Sequence, residues 1–266
     1  MTTRQKVFTT VFALLTLPLA ASSFQDMSGD QSTVDSLLAQ AKQYATVTFE
    51  NEKALHVYQE VEKIAPENYE MLWGTSRSYV DIGEHLPGKT DEERQAQLEY
   101  YEKALAYANR TIEAHPTKSQ GLIRRAIANG RVALFKGVWE SLDLVKAVKT
   151  DTEKAIELDP NEASAYYILG RTHAKVSEKP RIIRWPLGLG WASYDESVEF
   201  YEKAIALRPD FVMYRLDAAR AYAELDEYEA ARKHLNAIAS ISDQDEDDPK
   251  FREEAKELEK EIAEEE

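Results

Sequence analysis

The side chains suited to metal binding or acid–base chemistry are five scattered histidines and one acidic run near the carboxyl end. The histidines are His56, His85, His115, His173 and His234. No two lie four residues apart, the spacing that places two metal ligands on one helix face. Gly188 and Gly190 lack the third glycine and the preceding strand of a dinucleotide loop, and the absence of cysteine excludes thiolate chemistry. We therefore predict no catalytic residue, no metal and no cofactor.

The acidic run reads "DQDEDDPKFREE" and has part of the pattern of a calcium loop. Its first, third, fifth and twelfth positions are acidic: Asp243, Asp245, Asp247 and Glu254. The sixth position needs glycine for a sharp turn but holds Asp248, so we favour a helix that Asp248 caps and Pro249 begins. Range 243–266 has 13 acidic and 4 basic residues, and we interpret it as a solvated capping helix and tail rather than a docking arm.

The start of the chain has the pattern of an export signal. Range 1–23 carries Arg4 and Lys6, then an uncharged apolar run, then small residues suited to cleavage. An uncleaved anchor is the alternative, but the run is shorter than the roughly 20 residues of a spanning helix. We expect an exported protein of the periplasm or cell envelope, with a short linker at 24–32. Without Arg4 and Lys6 the formal charge of −15 becomes −17, which opposes binding to nucleic acid.

Four segments end in the same way and predict helices. Each has a small or apolar residue twelve positions before a helix-ending proline, and these prolines are Pro66, Pro116, Pro160 and Pro209. The pattern resembles the tetratricopeptide repeat, best in "ASAYYILGRTHAKV", where Tyr166, Leu169 and Gly170 match the first helix of that repeat. We predict an all-α, right-handed solenoid of helical hairpins over 33–242, with expanded repeats and a C-terminal capping helix.

The stretched repeats also resemble one particular family. From about Glu70 to Leu258 the chain is similar to the regulator of microtubule dynamics family, through "MLWGTSRSYVDIGEH", "LEYYEKALAYANRTIEAHP", "DTEKAIELDPNEASAYYILGR" and the insert before "YDESVEFYEKAIALRP". The resemblance implies a helical scaffold without catalytic residues. In eukaryotic relatives it implies a link to microtubules or organelle membranes, in the cytoplasm, on the cytoskeleton or at a membrane.

The first helix of each repeat is expected to line a concave groove that is locally positive. We predict a partner-binding set of basic and aromatic residues there: Trp73, Arg77, Arg124, Arg131, Tyr167, Arg171, Lys175 and Arg220. Such a face suits an acidic peptide, a chain-terminal carboxylate or an anionic head group, since arginine binds carboxylates bidentately. The alternative is that these arginines pair with carboxylates of neighbouring helices.

The insert at 177–193 combines apolar residues with prolines and glycines. Its apolar residues are Ile182, Ile183, Trp185, Leu187, Leu189 and Trp191. So large a patch is expected to be covered, either as a lid over the groove or in a membrane interface helped by Lys175, Lys179, Arg181 and Arg184. We favour the lid.

The function that these features predict is a non-catalytic scaffold that binds a protein or peptide partner through the groove. A lipid or membrane-contact module that uses the insert is the alternative, and an enzyme is the third. Nucleic acid is not an expected partner, and the oligomeric state is left open.

Overall fold

The computed structural model describes residues 21–137 and 141–265, and every regular element in these ranges is helical. The predicted all-α class is confirmed. The α-helices are α1 (Ala21–Gln43), α2 (Asn51–Ile64), α3 (Tyr69–His85), α4 (Asp91–Ala114), α5 (Ser119–Lys136), α6 (Leu142–Leu158), α7 (Ala163–Ser177), α8 (Arg181–Arg184), α9 (Tyr194–Leu207), α10 (Val212–Ala223), α11 (Tyr228–Ile238) and α12 (Asp248–Glu265). A π-helical turn spans Tyr44–Thr48 and a 3-10 turn spans Trp185–Leu187.

The helices pack as stacked hairpins. The hairpins are α1 with α2, α3 with α4, α5 with α6, α7 with α9, and α10 with α11. Each hairpin packs on the next, since α2 contacts α3, α4 contacts α5, α6 contacts α7 and α9 contacts α10. Helix α12 closes the stack against α10 and α11, where Ala255 and Ile262 are buried. This arrangement is the predicted repeat solenoid with its capping helix.

Proline ends the second helix of four hairpins, as predicted. The last helical residue stands two positions before each proline, at Ile64, Ala114, Leu158 and Leu207. The residue between them, the one directly before the proline, leaves the helical region, with φ between −142° and −135° and ψ between 63° and 94°. The proline ring excludes helical backbone for the residue that precedes it, so the four turns share one geometry.

Close contact within a hairpin explains the glycine of the repeat motif. A Cβ at Gly170 would lie 3.0 Å from the ring of Tyr201 and 3.1 Å from the carbonyl oxygen of Ser197. The hydroxyl of Ser197 donates to the carbonyl of Gly170 at 2.8 Å, and Tyr201 is buried. Helices α7 and α9 therefore approach closely at this point, and a larger residue would force its neighbours to shift.

The first helix extends through range 24–32, which the sequence assigned to a linker. A single glycine inside this range costs a helix only about 1 kcal/mol, so it does not end α1. Further along α1, Val34, Leu38 and Ala41 are buried against α2 and α3. The predicted export signal lies mostly outside the described residues and stays a prediction. Among the helices that are described, none is long and apolar enough to cross a membrane.

The turn before α12 differs from the expected helix cap. Asp248 is fully buried, and its Oδ2 accepts from the backbone N–H groups of Gln244 and Asp245, at 2.6 and 3.0 Å. Asp248 therefore closes the turn that precedes the helix, while the carbonyl of Asp247 accepts the first helical bond from Phe251. The calcium pattern is not assembled, because no group of described His, Asp or Glu residues is arranged to hold a metal ion.

Candidate functional site

Most of the basic residues predicted for the groove are neutralised by neighbouring carboxylates. Helix α3 pairs Arg77 Nε with Asp81 at 3.0 Å, and its Glu84 pairs with Arg131 of α5. Lys175 pairs with Glu178 at 2.6 Å. Of the two interpretations of this surface, pairing with carboxylates describes these three residues, although only Arg131 pairs with a different helix.

Asp217 of α10 neutralises a second part of the groove. It accepts from the hydroxyl of Tyr167 at 2.7 Å and from Arg220 at 2.9 Å, while Arg171 lies 3.9 Å away. Tyr167 is buried, stacks on Tyr214 with ring centroids 4.5 Å apart, and has a pKa that burial raises well above 10. The predicted contact of Tyr167 with a partner is therefore replaced by a structural role, since this ring belongs to the core beneath the groove.

Arg124 is different, although it lies among the same helices. Its guanidinium sits over the indole of Trp73, 5.4 Å from the ring centroid, which is the range of a cation–π contact. Its Nε is buried and has no hydrogen-bond partner among the residues that the structure describes. Burial and the nearby positive charge of Arg77, opposed by the charges of Asp81 and Glu162, lower the pKa of Arg124 to about 10. The centre of the groove thus holds a partly buried cation that makes no ion pair with a carboxylate of the described ranges, although the charges of Asp81 and Glu162 act on it.

One helical turn before Arg124, Gln120 also has an unused polar atom. Its amide nitrogen donates to Glu162 at 2.7 Å, whereas its buried Oε1 has no partner in the described part of the chain. A free acceptor and a free donor therefore stand one turn apart on α5. Both atoms are buried.

The C-terminal region reaches the groove from its other side, which the sequence interpretation as a solvated tail did not anticipate. Glu254 of α12 pairs with Arg220 at 2.6 Å. Glu246 accepts from Asn51, at the start of α2, at 2.8 Å. Range 243–247, which we name the acidic segment, therefore joins the last repeat to the first ones. The opposite charges of the groove and of range 243–266 are the sequence feature that could have predicted this contact. The curvature that brings the two regions together cannot be predicted from local sequence.

The second half of the insert packs onto the solenoid. Leu189 is buried, and Leu187 and Trp191 are partly buried, against α6 and the end of α7. Gly188 makes the required turn with φ +73°, a left-handed conformation that glycine adopts without strain. Trp191 meets the ring of His173 edge-on at 4.8 Å. These residues are anchors of the insert.

The first half of the insert is exposed instead. Ile182 is 82% exposed, Trp185 69% and Ile183 42%, so the predicted lid does not describe these three residues. Arg184, predicted to help a membrane contact, points inward, and it donates to the carbonyls of Lys179 at 3.0 Å, of Leu189 at 3.3 Å and of Ala192. Arg184 thus stabilises the conformation of the insert, while Ile182, Ile183 and Trp185 form an apolar tip that is exposed to solvent.

Comparison with known families gives one match that covers most of the chain. The model of the family "Regulator of microtubule dynamics protein 1-3" matches residues 37–263. Regulator of microtubule dynamics protein 1 of Mus musculus is 29% identical over 183 residues, which are 67% of this chain and 58% of that protein. Regulator of microtubule dynamics protein 3 of the same species is 23% identical over 252 residues, 91% of this chain and 52% of that protein. The chain spans about half the length of these curated relatives.

Solved structures with the same architecture are tetratricopeptide-repeat proteins or resemble them. A thermophilic TPR protein of Thermus thermophilus is similar with a TM-score of 0.60 at 17% identity, over 85% of this chain and 98% of that one. PilF of Pseudomonas aeruginosa is similar with a TM-score of 0.50 at 14% identity, over 88% and 90% of the two chains. At such identities the likeness shows the fold alone, and that fold is a helical-repeat scaffold.

Proposed function

The chain belongs to the regulator of microtubule dynamics family, and we propose that it is a non-catalytic adaptor whose concave groove binds an acidic segment of a partner protein. The name of the family suggests that such a partner belongs to a microtubule-linked assembly. The helical-repeat fold supports an adaptor, because stacked hairpins present an extended concave surface to a bound chain.

The environment of Arg124 is the observation that carries this proposal. A buried guanidinium N–H group without a partner is costly, and an incoming carboxylate would offset that cost with a charge-assisted hydrogen bond. Trp73 contacts the guanidinium by a cation–π interaction, which does not use the N–H groups of Arg124 as hydrogen-bond donors. The other predicted groove cations already have partners, so we assign recognition to Arg124 and Trp73.

A peptide is favoured over a single small anion by Gln120. Its free Oε1 can accept a main-chain N–H group of an extended chain whose carboxylate reaches Arg124. The formal charge of the protein is −15, so an acidic partner is repelled by most of the surface and attracted only at this groove. An acidic partner should therefore bind at the groove and not elsewhere on the surface.

Binding of a labelled peptide of alternating glutamate and glycine tests this function by fluorescence anisotropy, with a matched glutamine–glycine peptide as the neutral control. We expect the acidic peptide to bind and the neutral one not to bind. The substitution Arg124→Met should weaken the acidic peptide about tenfold or more, the loss of one charge-assisted bond. Equal binding of the two peptides, or an unchanged affinity of the variant, would exclude an Arg124-centred site.

A second candidate function is contact with a membrane through the insert. It is favoured by the exposed tip formed by Ile182, Ile183 and Trp185, beside the exposed cations Lys179 and Arg181. Tryptophan and cations of this kind suit the interface of an anionic bilayer. The three side chains are close enough in sequence to insert together.

Flotation with vesicles of phosphatidylcholine and phosphatidylserine tests the membrane contact. The double substitution Ile182→Ser and Trp185→Ser should abolish flotation without unfolding the protein, since both side chains are exposed. Val47→Ser is a matched control, because Val47 is 66% exposed and lies outside the insert. Flotation that survives the double substitution would reject the tip as the membrane contact.

A further inference from the structure

The acidic segment lies against the first repeats. Glu246 Oε1 accepts from Asn51 Nδ2 at 2.8 Å, although the two residues are 195 positions apart. The ring of His85, at the end of α3, lies 3.2 Å from Glu246 and 3.5 Å from Asp247. The segment therefore crosses from the last repeat to the mouth of the groove formed by α2 and α3.

The charges of the segment match the groove only in part. Asp245 lies in the field of Arg77, but also near Asp81, which repels it. Burial raises the pKa of Asp245 and that of Glu246, so the segment holds its carboxylates there at an electrostatic cost. Because the electrostatic cost weakens the attraction between the segment and the groove, a ligand with better charge complementarity can displace the segment.

Helix α12, rather than the groove, sets the shape of the segment. Asp248 accepts from the N–H groups of Gln244 and Asp245. Arg252 of α12 pairs with Asp243 at 2.9 Å and donates to the carbonyls of Ile238 and Ile241. The segment is thus preorganised as an acidic loop that α12 presents to the groove.

The segment leaves the centre of the groove unsatisfied. Its contacts are at Asn51 and His85, and its Asp245 interacts with Arg77 through charge, whereas Arg124 keeps a partnerless Nε in the described structure. A longer acidic chain could make the contacts at the mouth and also reach Arg124. Such a chain would gain an interaction that the internal segment lacks.

We propose that the acidic segment is an internal competitor, which occupies the mouth of the groove as an acidic segment of a partner protein would and which the partner must displace. This inference rests on the proposed function and adds its regulation. The bound partner then lies along α2, α3 and α5, from Asn51 and His85 at the mouth to Arg124 at the centre.

Three forms of the full chain test the inference with the glutamate–glycine peptide as probe. Asp245→Asn with Glu246→Gln and Asp247→Asn should tighten binding about tenfold, because the competent groove is no longer partly occupied. Glu257→Gln with Glu261→Gln and Glu264→Gln changes the net charge equally on exposed positions of α12, and should leave the affinity close to that of the wild type.

The third form locks the segment in place. Asn51→Cys with Glu246→Cys gives the only two thiols of the chain, which a short thiol crosslinker can join. The crosslinked form should bind the probe at least about tenfold more weakly than the same protein before crosslinking, since locking lowers the competent fraction.

The outcomes separate the inference from the proposed function. Tighter binding after neutralisation and weaker binding after crosslinking support the competitor. Equal affinity of the wild-type, neutralised and crosslinked forms would overturn the competitor and keep the binding groove. If even the neutralised form fails to bind the acidic probe, the proposed function is overturned, and the competitor with it.

Discussion

Arg124 stacks on Trp73, with its guanidinium 5.4 Å from the centre of the indole. The next residue, Arg125, faces a different side of α5 and makes two 2.7 Å bonds to Asp151, which is buried. Two consecutive arginines thus have opposite environments. Arg125 is paired with a buried carboxylate, and Arg124 is held at the groove without an ion pair in the described ranges. This contrast makes the pair suitable for separating stability from binding.

Replacement of Arg124 should not destabilise the protein. Burial and the charge of Arg77 both disfavour its charged form, as its lowered pKa of about 10 indicates. Arg124→Met keeps the stem that packs on Trp73 and removes the desolvated charge. We expect a free energy of unfolding equal to or above that of the wild type, measured by urea denaturation. A loss of more than about 1 kcal/mol, the scale of an ordinary hydrogen bond, would show a structural role.

Replacement of Arg125 should have the opposite effects. Arg125→Met leaves the buried carboxylate of Asp151 without its bidentate partner, which costs about 2 to 3 kcal/mol of the free energy of unfolding. Binding of the acidic peptide should be unchanged at a temperature where the variant is folded. If Arg125→Met instead abolishes binding at full stability, the assignment of the two arginines is reversed.

The insert offers a second matched pair. Arg184→Met should lower the free energy of unfolding by about 2 kcal/mol, because three backbone carbonyls lose a charged donor. Arg181→Met changes the same residue type three positions earlier, where the side chain is exposed, and should change stability by less than about 0.5 kcal/mol. Equal effects of the two substitutions would contradict the inward position of Arg184.

Acid should loosen the anchor of the insert through His173. Burial and the charges of Lys149 and Arg184, opposed by Glu153, lower the pKa of this histidine to about 4, against an ordinary value of 6.5. Between about pH 6.5 and pH 4 the histidine is therefore protonated in the unfolded chain but neutral in the folded protein. The free energy of unfolding decreases as the pH is lowered through this range. The stabilisation that comes from keeping His173 neutral is fully present above about pH 6.5, and it amounts to about 3 kcal/mol of the free energy of unfolding.

The variant His173→Phe isolates this contribution, because phenylalanine keeps an aromatic contact with Trp191 and does not titrate. The stability difference, wild type minus variant, should fall by about 3 kcal/mol between neutral pH and pH 4. A difference that is independent of pH would mean that His173 is not the group that titrates.

The helical framework could be predicted because its determinants are local. Each proline acts on the residue before it, and Gly170 acts on one neighbouring helix, so short patterns contain the information. Some ion pairs could also be predicted from the sequence, since Arg77 and Asp81 lie four residues apart on one helix.

The candidate site could be predicted only in part, because its contacts depend on curvature. The pair of Arg220 with Glu254 and the contact of Asn51 with Glu246 form only when the stacked hairpins bring distant residues together. Arg181 and Arg184 look alike in the sequence, and only the folded loop shows that Arg184 points inward. Arg124 was predicted for the groove, but its lack of a carboxylate partner in the described structure follows from three-dimensional packing.

The most direct test of the groove is the nitrogen-15 resonance of Arg124 Nε–H during titration with the acidic peptide. Arg125 Nε–H serves as the internal control, since its bond to Asp151 is already made. We predict that the Arg124 resonance shifts with the bound fraction and saturates, while that of Arg125 stays in place. A peptide that binds to saturation and leaves the Arg124 resonance unmoved would contradict recognition at this residue.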